Sequence, residues 1–495
     1  MCADGSNQYG KTGLAVLTTQ MNRRLFLERA AATALFSAVA RGAAADAADF
    51  GFSPDATGIE NSKALQRAVD RTGTIVVSRP GTYQIAATVY LGSNTSLLFD
   101  NNVFLKKAPE QGPFTHVLLN KGALTRTYDE HITVSGLQLI VNGVDVRNWQ
   151  VYGLHGQVAF FYAKDVRIER FRCLDGGPLQ FIIHVCTFED LTIDDIRIKG
   201  LKDGVHLGRG KRFAIRNGTF DTGDDALALN GHDYAVGNPE LGWIEDGVVE
   251  NMHDLPNPDH QIGYFCRIVA GAWSDWRSGM QVRQSDTVVS GGRLYRVQAN
   301  PDGTAYQSVT RPTHESGARV VDSINWGVVQ NDVTYTAGVR NVVFRDITLQ
   351  KVRIAFSVHF GNDKYSRSYY PGAAIPRQEN LNFDNVRVLH DSHADFLQVR
   401  TPVDALTVAN CSLRDNGITF ESNTDIADYG KTRIGMTGCV FGKSGPLELV
   451  VNRIPRKQIS LKTAGSVELA EDFSAKVVPG PGTIVVDSDL TVLRK

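Results

Sequence analysis

Asp203, Asp224 and Asp225 are the residues of this chain best placed to do chemistry. Asp203 opens Asp203-Gly204-Val205-His206-Leu207, and the other two open Asp224-Asp225-Ala226-Leu227-Ala228-Leu229. Positions 203 and 225 are 22 residues apart. If the chain is a coiled stack of strands with that repeat, all three carboxylates share one outer face. Clustered carboxylates repel, so some of the set should have a raised pKa. A protonated acid beside ionised bases is what cleavage of a glycosidic bond requires. Whether the three groups meet depends on the stack.

The stack is visible as a ten-residue pattern with apolar residues at positions 2, 4, 7 and 9. Copies start at His131, Asp165, Asp190, Arg212, Asn341, Asn380, Ala405 and Arg433, with a weaker one at Leu241. Positions 2 and 4 alternate as in a strand, and so do 7 and 9. The two pairs are out of phase by one residue. A bend between them, often at Asp, Asn or Gly, lets both pairs point inward. Such a unit is a corner between two short strands of one coil, and its period implies a parallel β-helix. The expected class is all-β, a right-handed single-stranded parallel β-helix.

Around this repeat the chain divides into three parts. Residues 1–45 read as a targeting segment. Arg23-Arg24 precedes an Ala-rich apolar run that ends near Ala43-Ala44-Ala45, a twin-arginine-like pattern with Met21 as the start. A periplasmic or secreted location is expected from it. Residues 46–495 form the β-helix. Within it, Asn61 is placed to cap a helix over 62–70 that covers the open end of the stack, with Leu65 and Val69 on one face. Residues 260–335 interrupt the repeat with a small β insertion holding Trp273, Trp276 and Trp326, and Ser290–Val297 reads as a hairpin.

Composition narrows the partners. The chain has 495 residues, 42% of them hydrophobic, and a net charge of −1. That is ample for a large core, and its neutral balance argues against nucleic acid. No stretch after residue 45 is long and apolar enough to span a membrane. Cys173, Cys411 and Cys439 occupy inward positions of the repeat and read as core, and the absence of CxxC argues against zinc. No metal and no cofactor are expected. The mature protein is expected as a monomer or homo-oligomer that takes a carbohydrate.

Used as a ruler, the repeat extends the site. Thirteen residues after Asp190 lies Asp203, and after Arg212 lies Asp225. The same step from Leu241 reaches Asp254 with His253 beside it, and from Asn341 reaches Ile354 with Arg353 beside it. Adjacent rungs are about 4.8 Å apart, so His253 and Arg353 are expected to line the groove as substrate contacts. A second cluster, His359 with Lys364, Tyr365 and Arg367, mixes aromatic and cationic groups suited to sugar stacking and hydroxyl contacts. His206, between inward Val205 and Leu207, faces outward and reads as surface.

The segments Leu201-Lys202-Asp203 and Gly223-Asp224-Asp225 resemble glycoside hydrolase family 28, the polygalacturonase family. That family carries Asn-Thr-Asp and then Asp-Asp one coil later. The order of Gly-turn, helix, Val76-Val77-Ser78 and Pro80-Gly81-Thr82-Tyr83 likewise resembles the first coil of the pectate-lyase-like superfamily. The resemblance implies an inverting hydrolase, with Asp224 as general acid and Asp203 and Asp225 holding and deprotonating water. It departs from the family where Asn-Thr is replaced by Leu201-Lys202, where Gly-His-Gly is absent, and where Arg353 is followed by Ile354-Ala355 in place of Arg-x-Lys. Hydrolysis is therefore better supported than galacturonate as substrate. Two other classes stay open. One is a polysaccharide lyase using a basic residue, often with calcium; the other is a non-catalytic, tailspike-like or adhesin-like glycan-binding protein.

Overall fold

The computed structural model describes residues 44–490. Positions 235, 258–261, 299–302, 360, 363–366, 423–425, 427, 443–445 and 469–473 are excepted. The expected targeting segment therefore lies, but for its last two residues, outside the described residues. Ala45–Lys495 forms one compact unit.

Its coil has three sides, each a column of parallel strands. One column stacks Asp129–Ser135 under the middle of Val158–Asp175, then Ile183–Gly200, Gly210–Thr222 and onward. The later halves of those long strands form the second column. Short strands form the third, including Val205–Leu207, Leu227–Asn230, Cys266–Val269, Phe356–His359 and Leu397–Val399. This is the parallel β-helix that the repeat predicts.

The corners explain why the repeat has its residues. Position 1 holds a left-handed backbone at Asp190, Arg212 and Asn341 (φ 57°, 58° and 56°). Position 6 does the same at Asp195, Asn217, Asp346 and Asn385 (φ 51°, 53°, 56° and 52°). An L-residue in that region costs about 1–2 kcal/mol, least for Asn and Asp, whose short side chains bond locally. Here those side chains also bond along the stack. Asn251 donates to Asn217 at 2.7 Å, and Asn217 donates to Asp194 at 2.6 Å. Inward residues such as Val166, Ile168, Phe171 and Cys173 belong to one continuous buried core, and Cys411 and Cys439 join it as free thiols.

Three details differ from expectation. The capping helix is Gly58–Val69, and Thr57 is its N-cap in a capping box with Glu60. Asn61 lies inside the helix and ties back to Ser53 instead. Leu65 and Val69 are buried as expected. The weaker repeat copy begins at Asp246, not Leu241: Phe213 pairs with Gly247, and Asp246 carries the corner's φ of 57°. Corners fall at positions 1 and 6, so a slip of five residues maps the second apolar pair onto the first and mimics the pattern.

The insertion also starts later than 260, because Cys266–Val269 is a rung of the solenoid. Gly271–Ala272 then pairs antiparallel with Ala337 and Thr336, closing the excursion at its base. Between them lies a five-stranded sheet with its own core of Val282, Val288, Tyr295 and Trp326. Its hairpin Thr287–Ser290 to Arg293–Val297 turns at Gly291-Gly292, both at positive φ as such a tight turn requires.

Candidate active site

The site lies where the second column turns into the third. Val205 pairs with Leu227, and the Gly204 N–H donates to the Asp225 carbonyl at 2.9 Å, so Asp203 stacks beside Asp225. Gly223 lets the turns approach, since a Cβ there would lie 2.8 Å from the Leu201 carbonyl oxygen. Gly263, at φ +72° and leading into the next rung, packs back against the Asp224–Asp225 turn. A Cβ on it would lie 2.6 Å from the Asp224 carbonyl carbon and 2.9 Å from its Oδ1.

One oxygen from each of Asp203, Asp224 and Asp225 lies within 4.8 Å of the others. Their surroundings differ. Asp203 and Asp225 are buried, whereas the Asp224 side chain is 33% exposed. Burial, followed by the charges of Asp203 and Asp224, raises the Asp225 carboxyl well above its ordinary value. Burial and then Asp203 also raise Asp224. The Tyr264 N–H donates to Asp225 Oδ1 at 2.7 Å, and Lys202 Nζ is 4.0 Å from Asp224 Oδ2.

His206 connects this trio to a fourth carboxylate. Its Nδ1 is 2.9 Å from Asp203 Oδ2, and its Nε2 is 3.2 Å from Asp233 Oδ2, the latter contact poorly aligned for a hydrogen bond. The ring is fully buried and stacks on Phe181 with centroids 4.3 Å apart. Burial alone would lower its pKa, but the hydrogen bond to Asp203 and the close Asp233 and Asp203 carboxylates prevail and raise it to about 9. Against its burial, Asp233 is held below the usual carboxylate range by Arg267 and His206, and it accepts a bond from Asn230 at 2.7 Å. Arg267 Nη1 is 3.9 Å from Asp233, and Arg267 also lowers both raised carboxyls. The four carboxylates thus face three cations: Lys202, His206 and Arg267. A single proton on Asp224 or Asp225, the two raised carboxyls, would make that set neutral.

The other predicted site residues fall in different places. His253 does not reach the groove. It is exposed on the outer face of Trp243–Asp254, between Thr219 and Thr348, because the ruler was laid from the slipped start at Leu241. Arg353 is buried under the site and does not open onto the groove. Its guanidinium grips Asp254 through two nitrogens, at 2.6 and 3.0 Å, and donates to the Asp224 carbonyl at 2.7 Å. Lys351 bonds the Thr222 carbonyl beside it. Together they hold the turn that presents Asp224.

His359 is buried on the outward side of its strand. It bonds Ser357 at 2.8 Å, and its Nε2 is 3.4 Å from Arg267 Nε. Arg367 pairs with Asp286 of the insertion and does not reach the trio. Lys364 and Tyr365 lie outside the described residues.

Sequence reasoning missed Asp233, Tyr264 and Arg267, and it misread His206. His206 does face outward from its strand, but the segment 231–241 folds over it. Arg267 was legible in principle: Cys266, Arg267, Ile268 and Val269 alternate as a rung. An insertion boundary set at 260 removed it from view.

No family model matches this chain, and no curated protein matches it. Solved structures do. The A-module of mannuronan C-5 epimerase AlgE4 from Azotobacter vinelandii superposes with a TM-score of 0.52 at 13% identity, covering 89% of this chain and 99% of that one. The AlgE6 A-module from the same organism gives 0.51 at 14%, covering 90% and 99%. A hyperthermoactive exopolygalacturonase from Thermotoga maritima gives 0.46 at 14%, covering 90% and 92%. At these identities the likeness to the two A-modules shows the fold alone, a parallel β-helix.

Proposed function

We propose that this chain hydrolyses glycosidic bonds in a polysaccharide or its oligosaccharides. The observation that carries the reading is the carboxylate trio, grouped within 4.8 Å with one member at the surface and two buried. Asp224, open to the groove and raised in pKa, donates a proton to the leaving oxygen. Asp203, paired with the imidazolium of His206, and Asp225 hold and deprotonate the attacking water. General acid–base help of this kind is worth roughly 10²–10⁴-fold. A glycan substrate is also supported by the two epimerase modules of similar fold, whose names place them on mannuronan, a polysaccharide.

The stereochemical outcome is the finer part of the reading. An inverting pair usually stands roughly 6.5–9.5 Å apart and a retaining pair roughly 5–5.5 Å. The trio, within 4.8 Å, is tighter than the usual inverting range. Inversion therefore requires water held by Asp203 and Asp225 together, beside Asp224. Proton NMR of the first-formed anomer tests this.

A lyase is the second reading, favoured by the same cluster, whose oxygens could hold a cation, and by Arg267 beside it. Ultraviolet absorbance of an unsaturated product distinguishes it from hydrolysis. Export by the twin-arginine route belongs to the same proposal. Replacing Arg23 and Arg24 by Lys should strand the protein in the cytoplasm.

A further inference from the structure

The outward face of the third column is not open at both ends of the trio. Residues 231–234 and 236–241, which follow the Leu227–Asn230 strand, lie over the rungs that precede it. The Val236 carbonyl meets His155 Nε2 at 2.5 Å, and Asn238 Oδ1 meets His184 Nε2 at 2.9 Å. His184 is one rung before His206, and His155 precedes the rung before that. From the insertion, Arg296 reaches in and donates to the Asn238 carbonyl at 2.6 Å and the Tyr234 carbonyl at 3.3 Å. His155, His184, His206, Asn238 and Arg296 are all at most 4% exposed. The pairing strands, the returning segment and the insertion thus build a wall against one side of Asp203.

On the other side the in-register outward residues Ser357, Gln398 and Thr419 are buried too, but the chain just beyond their strands is partly exposed. Arg267 is followed by Arg400 and Glu421 on later rungs, with side chains 37% and 24% exposed. A sugar chain lying along the column meets the wall in one direction and the partly exposed Arg400 and Glu421 in the other. Resting on the hydrolase reading above, we infer that the protein is exo-acting: it binds the end of a glycan against the wall and releases a product of fixed short length. The wall, built from Asn238 and its clamp Arg296, sets that length.

A cleft of about 560 Å³ along the neighbouring corner, lined by Leu174, Pro178, Lys199 and Leu201, is the alternative path. A chain using it would bypass the wall and be cut internally.

The test uses the full mature chain and reducing-end-labelled ladders of homogalacturonan, mannuronan and an α-glucan. On whichever ladder is cleaved, the proposal expects loss of one fixed step at a time, with polymer viscosity falling only in proportion to sugar released. Early appearance of fragments of every length, with a steep viscosity loss, overturns exo action and leaves hydrolysis standing. No cleavage of any glycan overturns the hydrolase reading and this proposal with it. Arg296→Ala, if folded, should add fragments of intermediate length. An unchanged single-step pattern in that folded variant overturns Arg296's part in the wall.

Discussion

Nδ1 of His206 lies 2.9 Å from Oδ2 of Asp203, inside a site where both side chains are at most 5% exposed. A buried carboxylate that close to two others needs a cation, and the imidazolium supplies it from within its own strand. Removing it leaves Asp203 and Asp233, on opposite sides of the ring, buried without the cation they share. His206→Gln is therefore expected to lower turnover roughly 10²-fold through misplacement of Asp203, and to destabilise the fold by about 3–5 kcal/mol. Kinetics on the cleaved glycan and urea unfolding check both. A surface histidine would change neither.

The same pair gives a pH signature. Unfolded histidine titrates near pH 6.5, whereas folded His206 is raised to about 9. The stability it contributes is complete below the lower value and is lost as pH rises through the higher one. Buried Lys107, Lys351 and Lys457, each lowered by burial to about 8, work oppositely and gain stability as pH rises. The informative quantity is the difference in Tm between wild type and His206→Gln. It should shrink between pH 6.5 and 9.5; a difference constant with pH would contradict the assignment.

Activity should carry an upper pH limit of its own. Burial and then the charge of Asp203 raise both Asp224 and Asp225, so a proton on either is retained above the ordinary carboxylate range and lost as pH rises further. Turnover should decline on that alkaline limb, read from a pH profile of kcat/KM. A profile flat up to the point of unfolding would mean that no such proton is used.

Arg353 separates support from contact. Its paired hydrogen bonds to Asp254 and its reach to the Asp224 carbonyl make it a positioning residue. Arg353→Met should cost about 3–5 kcal/mol by leaving Asp254 buried and unpaired, and adding Asp254→Leu should restore much of it. Tm and KM decide the matter together. A raised KM with unchanged Tm would return Arg353 to the groove.

Gly263 is predicted to be intolerant. An added methyl would meet Asp224 and Asp225 backbone atoms at 2.6 and 2.7 Å, at a φ that disfavours L-residues. Gly263→Ala should displace the Asp224 turn and reduce turnover about 10²-fold, while costing about 1–2 kcal/mol of stability. Wild-type turnover in that variant would show that Asp224 is not where the reaction occurs.

The fold was legible because a solenoid repeats its constraints. Corner residues such as Asp190 and Asn341 report backbone conformation, and Val166 and Ile168 report the inward face, coil after coil. The adjacency of Asp203 and Asp225 follows from that period alone. What failed was register across a break. The two-corner repeat looks alike after a slip of five, and the slip put His253 in a groove it does not touch. Groups contributed by the non-repeating segment 231–241, such as Asp233, leave no periodic trace. His206 shows the same limit: its strand fixes that it points outward, while an aperiodic segment decides that it is buried.

The most direct test compares the mature protein with Asp224→Asn on pectic and neutral glycans, scoring new reducing ends. The account predicts release by wild type and its loss in the variant, with sugar binding retained. Equal release by both proteins, or none by either, would contradict the assignment of Asp224 as the acid.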